Sequence, residues 1–348
     1  MQVRGPLGYE TLKEYDEKGN IVMETDPLGT ISRTTYNDLS LPIERVVTPY
    51  DDPDNPLSIT FAYDERGNLM SETDTLGRVT SFAYTDKGQL EEVVRFDGSK
   101  ITMDYSETGD LVSKCFADGT CNTATHDVMG RKVTESDHLG NTTILVYDSL
   151  GRVIEETDPL GNAVQYHYDV QDRMYRLSYP DGSYNSYTYT PAGKLETVAD
   201  PMGSVSSRTY SANGLLAGKT DADGRSFNYS YDAAGHLVEV RDGSGGLISE
   251  AEYDAGGNRI AYWDAKGAEV FIEYDPLGRP VREMDPLGNV IEVVYDGLGR
   301  ITSVVNGRGQ ETAYTYDAGS RLTAEHMPDG SEIRHFYDEM DRPVVTSG

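Results

Sequence analysis

Residues 274–300 read YDPLGRPVREMDPLGNVIEVVYDGLGR. Asp-Pro-Leu-Gly occurs twice in it, at 275–278 and 285–288, and the related Asp296-Gly-Leu-Gly299 follows. A type I turn favours Asp first, Pro second and Gly fourth, which is the order of this tetrapeptide. The runs between the corners, Arg279 to Met284 and Asn289 to Tyr295, have Val and Ile prominent and the length of a strand. Nearly every Pro of the chain sits in or beside a turn, where strand pairing tolerates it. The stretch predicts strand, corner, strand, corner.

The pattern extends along the whole chain. Tyr, usually followed by Asp, stands at 15, 36, 63, 84, 105, 147, 168, 189, 210, 231, 253, 274, 295, 316 and 337, with His126 in the one vacant place. Thirteen of the fifteen steps are 21 residues; Leu41 to Leu57 carries an insertion (PIERVVTPYDDPDNP), and Gly245-Gly246 adds one residue. Counted from the Tyr, the fifth position is Gly in twelve of sixteen units, and the fifteenth is Gly in fourteen of fifteen. Two glycines per unit mean two corners per unit. The seventh position is Leu, Ile, Val or Met in eleven of sixteen units, and the residue two before the Tyr is apolar or aromatic in twelve. Period-two alternation places that second set on one face with the Tyr.

Sixteen units run end to end without a linker, so 1–348 reads as one continuous repeat array. Gly5-Pro-Leu-Gly8 is the remainder of a corner, and Gly348 falls at the twelfth place of the last unit. Both ends lie inside units, and the array reads as a piece of a longer chain. No run is apolar enough for a membrane span, and no targeting signal is present. Lys and Arg number 30 against 59 Asp and Glu, a formal charge of −29 that repels phosphate and excludes nucleic acid or anionic membrane as partners.

Strands this many cannot share a flat sheet, because strands twist and large sheets curl or close. Side-by-side hairpins predict a spiralling, single-layer all-β sheet that forms part of a hollow shell. A sandwich would need apolar filling in every unit, and Lys13, Thr34, Arg208 and His335 interrupt it.

Units such as YDERGNL, YDSLGRV, YDAAGHL and YDGLGRI, followed by Asp-Pro-Leu-Gly-Asn or Pro-Asp-Gly-Ser, resemble the Rhs or YD-repeat family over essentially the whole chain. The resemblance implies a β-hairpin cocoon. In bacterial Rhs proteins and the C components of Tc toxins such a shell encloses a variable C-terminal toxin; in teneurins a similar shell supports cell-surface adhesion. The family's plug domain, its Asp-Pro-x-Gly-Leu cleavage signature and its hypervariable tail are not found, so autoproteolysis is assigned to no residue here.

Other chemistry has weaker support in the sequence than structural roles have. The histidines (His126, His138, His167, His236, His326, His335) lack metal-ligand spacing, and no nucleophile elbow or phosphate loop occurs. Asp221-Ala-Asp-Gly224 and Asp51-Asp52-Pro53-Asp54-Asn55 gather oxygens as calcium loops do, but read as solvated turn aspartates; the insertion is the stronger calcium candidate of the two. The Tyr column could meet glycans, but a residue repeated in nearly every unit reads first as structural. Cys115 and Cys121 flank one corner, where a cross-strand disulfide is geometrically open; they read as two free thiols, since other units need no staple.

The expectation is therefore a non-enzymatic shell segment, without cofactor, metal or catalytic residues, that encloses a polypeptide cargo with the remaining shell domains of its parent. The parent is expected to be secreted or cell-surface and delivered by a secretion system. The alternative is an extracellular adhesion or carbohydrate-binding array that meets cell-surface glycans.

Overall fold

In the computed structural model, which describes residues 2–338 and 341–347, the chain forms 33 strands of three to seven residues and, among the described residues, no helix. The all-β expectation holds. The chain divides into two compact units, Met1–Ser99 with Ala251–Gly348, and Lys100–Glu250. Within each unit successive strands pair antiparallel, hairpin after hairpin, as Val153–Thr157 does with Ala163–Tyr168 and Tyr184–Tyr189 with Leu195–Ala199.

Outside the insertion, both corners of a module have one geometry. In the second corner of the first full module, the Gly29 N–H donates to the Asp26 carbonyl at 3.0 Å, closing the predicted type I turn. The Asp26 N–H then donates to the Thr30 carbonyl at 3.0 Å, so the hairpin loop holds three residues and ends on a left-handed one, Gly29 at φ 100°. The Asp26 carboxylate accepts the N–H groups of Leu28, Gly29 and Thr30, each at 2.9 Å. That cap is why Asp opens so many corners.

The fifth-position exceptions follow the same rule. Ser40, Asp172, Ser320 and Asp341 stand where twelve modules have Gly, and among the described residues they are the four non-glycine residues with positive φ, 59° to 63°. The backbone demand is thus uniform although the residue is not.

A feature with no counterpart in the repeat spacing appears beside the first corner of nearly every module. Val146 pairs with Glu155 but Tyr147 pairs with Val153, leaving Ile154 as an extra, bulged residue. The same shift recurs at Tyr15, Tyr84, Tyr168, Tyr210, Tyr274 and Tyr337, among others. Bulges increase right-handed twist, so the modules that carry one bend the ribbon by the same local device.

The wall is one layer thick. The residues two before the Tyr and the Tyr itself are half-buried, while the residue between them is exposed in most modules, as in Phe82, Ala83 and Tyr84. Few of the described residues are buried, among them Ala261, Val270, Ala324, Thr30 and Asp296, all in the unit built from the two ends of the sequence. There, corners meet residues far away in the chain. Thr30 Oγ1 donates to the Gly297 carbonyl at 3.0 Å across 267 residues, and Arg78 pairs with Asp341 across 263.

The insertion lies differently from its sequence bounds. Pro42–Thr48 is a strand continuous with the array, so the additional residues are confined to the corner between Thr48 and Leu57.

Candidate functional site: the tyrosine ladder and the corner seam

The signature Tyr-Asp-x-x-Gly-Arg has a physical role for each of its letters. In the module that starts at Tyr147, the Asp148 carboxylate accepts the N–H groups of Leu150 at 2.9 Å and Arg152 at 3.0 Å. Its other oxygen accepts the Arg152 guanidinium at 2.6 to 2.7 Å. That guanidinium lies 4.7 Å over the ring of Tyr168, the next tyrosine of the column. The Tyr168 hydroxyl reaches back fifteen residues and donates to the Val153 carbonyl at 2.9 Å. Each module therefore grips its successor through a cation, a ring face and a phenol hydrogen bond.

The arrangement repeats. Arg131, Arg173, Lys194, Arg279, Arg300 and Arg321 sit 4.5 to 5.2 Å over Tyr147, Tyr189, Tyr210, Tyr295, Tyr316 and Tyr337. Phenol-to-carbonyl bonds of the same kind leave Tyr36, Tyr63, Tyr84, Tyr147, Tyr189, Tyr210, Tyr274, Tyr295, Tyr316 and Tyr337 at 2.7 to 3.1 Å. Burial pushes the phenols of Tyr63, Tyr189, Tyr274 and Tyr316 above the ordinary tyrosine range, which keeps them protonated donors.

The sixth-position residue also explains the non-glycine corners. Asn20 Nδ2 donates to Ser40 Oγ at 3.1 Å, Arg152 Nη1 to Asp172 Oδ1 at 2.6 Å, Arg300 Nη1 to Ser320 Oγ at 3.3 Å and Arg321 Nη1 to Asp341 Oδ1 at 2.5 Å. Every left-handed Ser or Asp accepts a bond from twenty residues earlier, which offsets its backbone strain.

The corner carboxylates are held as anions. The Asn20 amide holds Asp16 below the usual carboxylate range, the Arg131 guanidinium does so for Asp127, and the Arg152 N–H leads for Asp148. Asn68, Asn141 and Asn162 do the same for Asp64, Asp137 and Asp158.

A second assembly is the seam inside the unit of 1–99 and 251–348. Asp51 of the insertion accepts the Gly297 N–H at 2.8 Å, 246 residues away. A methyl on Gly297 would sit 2.5 Å from the Asp51 carboxylate and 2.7 Å from Pro49, so only glycine fits under the inserted loop. Leu7 and Leu76 cover Gly256 and Gly319 in the same way, approaching where a Cβ would lie to 3.1 and 2.6 Å. Beside these contacts runs an open cleft of about 670 Å³ lined by Arg45, Leu57, Ile59, Leu76, Arg78 and Leu298, among others. Arg78 in it is paired to Asp74 at 2.6 Å and to Asp341.

The other candidate residues are dispersed. His236 bonds Asp232 at 2.8 Å and His335 bonds Glu325 at 2.8 Å, while His167 meets Ser178 at 3.2 Å. Lys13 and His335, which interrupt the apolar row, are thus matched by carboxylates on neighbouring strands, Lys13 by Glu24 at 3.2 Å. Asp221 and Asp223 pair with Lys219 and Arg225 at 2.5 and 2.7 Å, and Asp52 holds Asn55 at 2.8 Å. Among the described residues no group of three His, Cys, Asp or Glu side chains is placed to hold a metal ion. No helix there is long and apolar enough to cross a membrane.

The cysteines correct the sequence reading. Cys115 and Cys121 are joined by a disulfide and no described cysteine is free. They face each other in register, Cα to Cα 4.0 Å, at the non-hydrogen-bonded pair next to the Phe116–Thr120 closure, where antiparallel side chains come closest. The absence of cysteines in other modules was a poor guide, because the need for a staple is local.

A family model described as the teneurin YD-shell matches residues 14–200, more than half of the chain. The chain belongs to the YD-shell family. A model of the RHS repeat matches residues 210–247 and 295–332 as well. Among solved structures, the chain is similar to the crystal structure of TcdB2-TccC3-TEV at 16% identity, covering 98% of this chain and 22% of that one with a TM-score of 0.78. It is similar to a Photorhabdus luminescens Tc holotoxin pore structure at 16% identity, over 98% and 21% of the two chains with a TM-score of 0.79. At that identity the likeness shows the fold. The YD-shell chain spans about a fifth of the length of those structures' chains. No curated protein matches it.

Proposed function

We propose that this YD-shell segment is a stretch of container wall that, with further domains of its parent, encloses a polypeptide, and that the cargo is a toxin carried at the parent's C-terminus. The observation that carries the reading is the use of the signature residues. Tyr, Asp and Arg, which an enzyme or a lectin would direct at a ligand, are bound to one another along the ladder. The surface they leave is a one-layer sheet whose corners dock on each other at the seam. The likeness to the TcdB2-TccC3 structures supports it at the level of fold.

On this reading the segment is not an enzyme, its partners are the enclosed polypeptide and neighbouring shell domains, and the parent works outside the cell that makes it after delivery by a secretion system. The adhesion alternative loses its main carrier, since the column tyrosines named above direct their hydroxyls at carbonyls of the wall.

The test uses the intact parent protein. Its C-terminal segment should resist a protease at concentrations that degrade the same segment expressed alone, and should become cleavable when the wall is opened with denaturant. A tail cut as fast in the parent as in isolation would overturn the container reading. Saturable binding on a glycan array that a wall-facing tyrosine substitution abolishes would favour adhesion.

A further inference from the structure

The disulfide and the one irregularity of the Tyr column fall in the same hairpin. In most other modules a phenol bonds a carbonyl about fifteen residues back and so ties the second strand of a hairpin to the first, as Tyr147 does to Lys132 and Tyr168 to Val153. At position 126 the column residue is His, whose ring is too short for that reach, and its buried Nδ1 has no hydrogen-bond partner. The strands left without the phenol bond are Leu111–Cys115 and Cys121–His126. Those are the strands that Cys115 and Cys121 join.

The cysteines occupy the eleventh and seventeenth places of the module, and this pair of places carries lighter ties elsewhere. Ser136 and Thr142 hydrogen-bond there at 2.7 Å, and Thr220 and Ser226 at 2.9 Å. The second of these lies between strands whose column residue, Tyr231, makes no phenol bond of the ladder type. The eleventh–seventeenth pair is therefore a second position from which a hairpin can be held when the phenol bond is missing.

We propose that Cys115–Cys121 is a redox-addressed staple that substitutes for the missing tyrosine bond, so that its reduction makes Leu111–His126 the weakest hairpin of its unit and a point at which the wall opens. A dithiol supplies the two electrons. One of its thiolates attacks a cysteine sulfur and breaks the S–S bond, its second thiol resolves the mixed disulfide, and Cys115 and Cys121 leave as thiols while the reagent closes to its own disulfide. His126, whose Nδ1 has no partner, does not replace the lost tie.

The test is hydrogen exchange of the whole chain, with dithiothreitol as the probe, read by peptides over 111–126 and, as an internal control, 132–147. Removing a cross-link that closes a short loop should raise exchange in 111–126 by about tenfold and leave 132–147 within about twofold. In H126Y a phenol can reach Leu111, so reduction should raise exchange there by less than about threefold. Cys115→Ser with Cys121→Ser should match the reduced protein in the absence of dithiol. Equal exchange before and after reduction, an H126Y response as large as that of the unmodified chain, or a chain that carries two alkylatable thiols after purification in air would each overturn the proposal.

Discussion

Replacing Tyr168 with Phe removes one oxygen and leaves the ring under Arg152. The lost interaction is the 2.9 Å bond from the hydroxyl to the Val153 carbonyl, made at a half-buried site. A hydrogen bond of this type contributes about 1 kcal/mol net, because water partly replaces it on unfolding. The contact of Arg152 with the ring, 4.7 Å to the centroid, survives in Phe. Tyr168→Ala removes that contact as well, worth about 0.5–1 kcal/mol, together with the apolar burial of the ring. The expected order is therefore about 1 kcal/mol for Phe and about 3 kcal/mol for Ala. In a repeat array each module contacts its neighbours alone, so the loss should be local. Hydrogen exchange would show opening of 153–168 faster by about fivefold in the Phe variant and by more than about fiftyfold in the Ala variant, with little change several modules away. If Phe cost as much as Ala, the phenol would be doing something other than bonding Val153. If Phe cost nothing, the ladder would owe nothing to its hydroxyls, and the column would be open again to a ligand-binding explanation.

Two further outcomes follow from the corners. Because Asp16, Asp64, Asp127, Asp137, Asp158 and Asp232 titrate below the ordinary range when folded, their contribution is present in full above the unfolded aspartate value of about 4 and is lost as pH falls through the lower folded values. Urea midpoints followed by circular dichroism should thus drop steeply below about pH 4, and midpoints that stay level or rise from pH 5 to pH 2 would contradict the caps. Asp172→Gly relieves a left-handed backbone at φ 63° and forfeits an exposed pair to Arg152. The relief of about 1 kcal/mol and the pair's contribution of about 0–1 kcal/mol should nearly cancel, whereas Asp172→Ala keeps the strain and loses the pair. A Gly variant no more stable than the Ala variant would refute that account.

The sequence made the strand–corner alternation legible because turn chemistry is local. Asp-Pro-Leu-Gly carries its own geometry, and two glycines per 21 residues required two reversals wherever they occurred. The same argument could not see what the reversals bring together. The bulge opposite each Tyr is invisible in a spacing count, since a module with an extra residue on one strand is still 21 residues long. Ser40, Asp172, Ser320 and Asp341 fall outside the glycine count, and only the fold sets them beside their partners twenty residues earlier. The inserted loop read as a possible ion site because three Asp and an Asn stood within five residues; in the structure Asp51 is committed to a glycine N–H 246 residues away.

Most of those misreadings share one cause. A repeat invites each residue to be judged against its equivalents in other modules, and that comparison is sound for residues whose partners lie within the module. It fails for Gly256, Gly297 and Gly319, which sit at the fourth or third place of their modules rather than the glycine place, the fifth, and are small because something from about twelve modules earlier lies on them. It also fails for Cys115 and Cys121, which stand alone among the modules because His126 does too. In a one-layer wall with little buried core, stability comes from the contacts each hairpin makes with the next, so a single weak column position has to be held from a different position in the same hairpin. The departures from the repeat are therefore the places where this wall's particular mechanics are written, and the regular letters describe what any such wall requires.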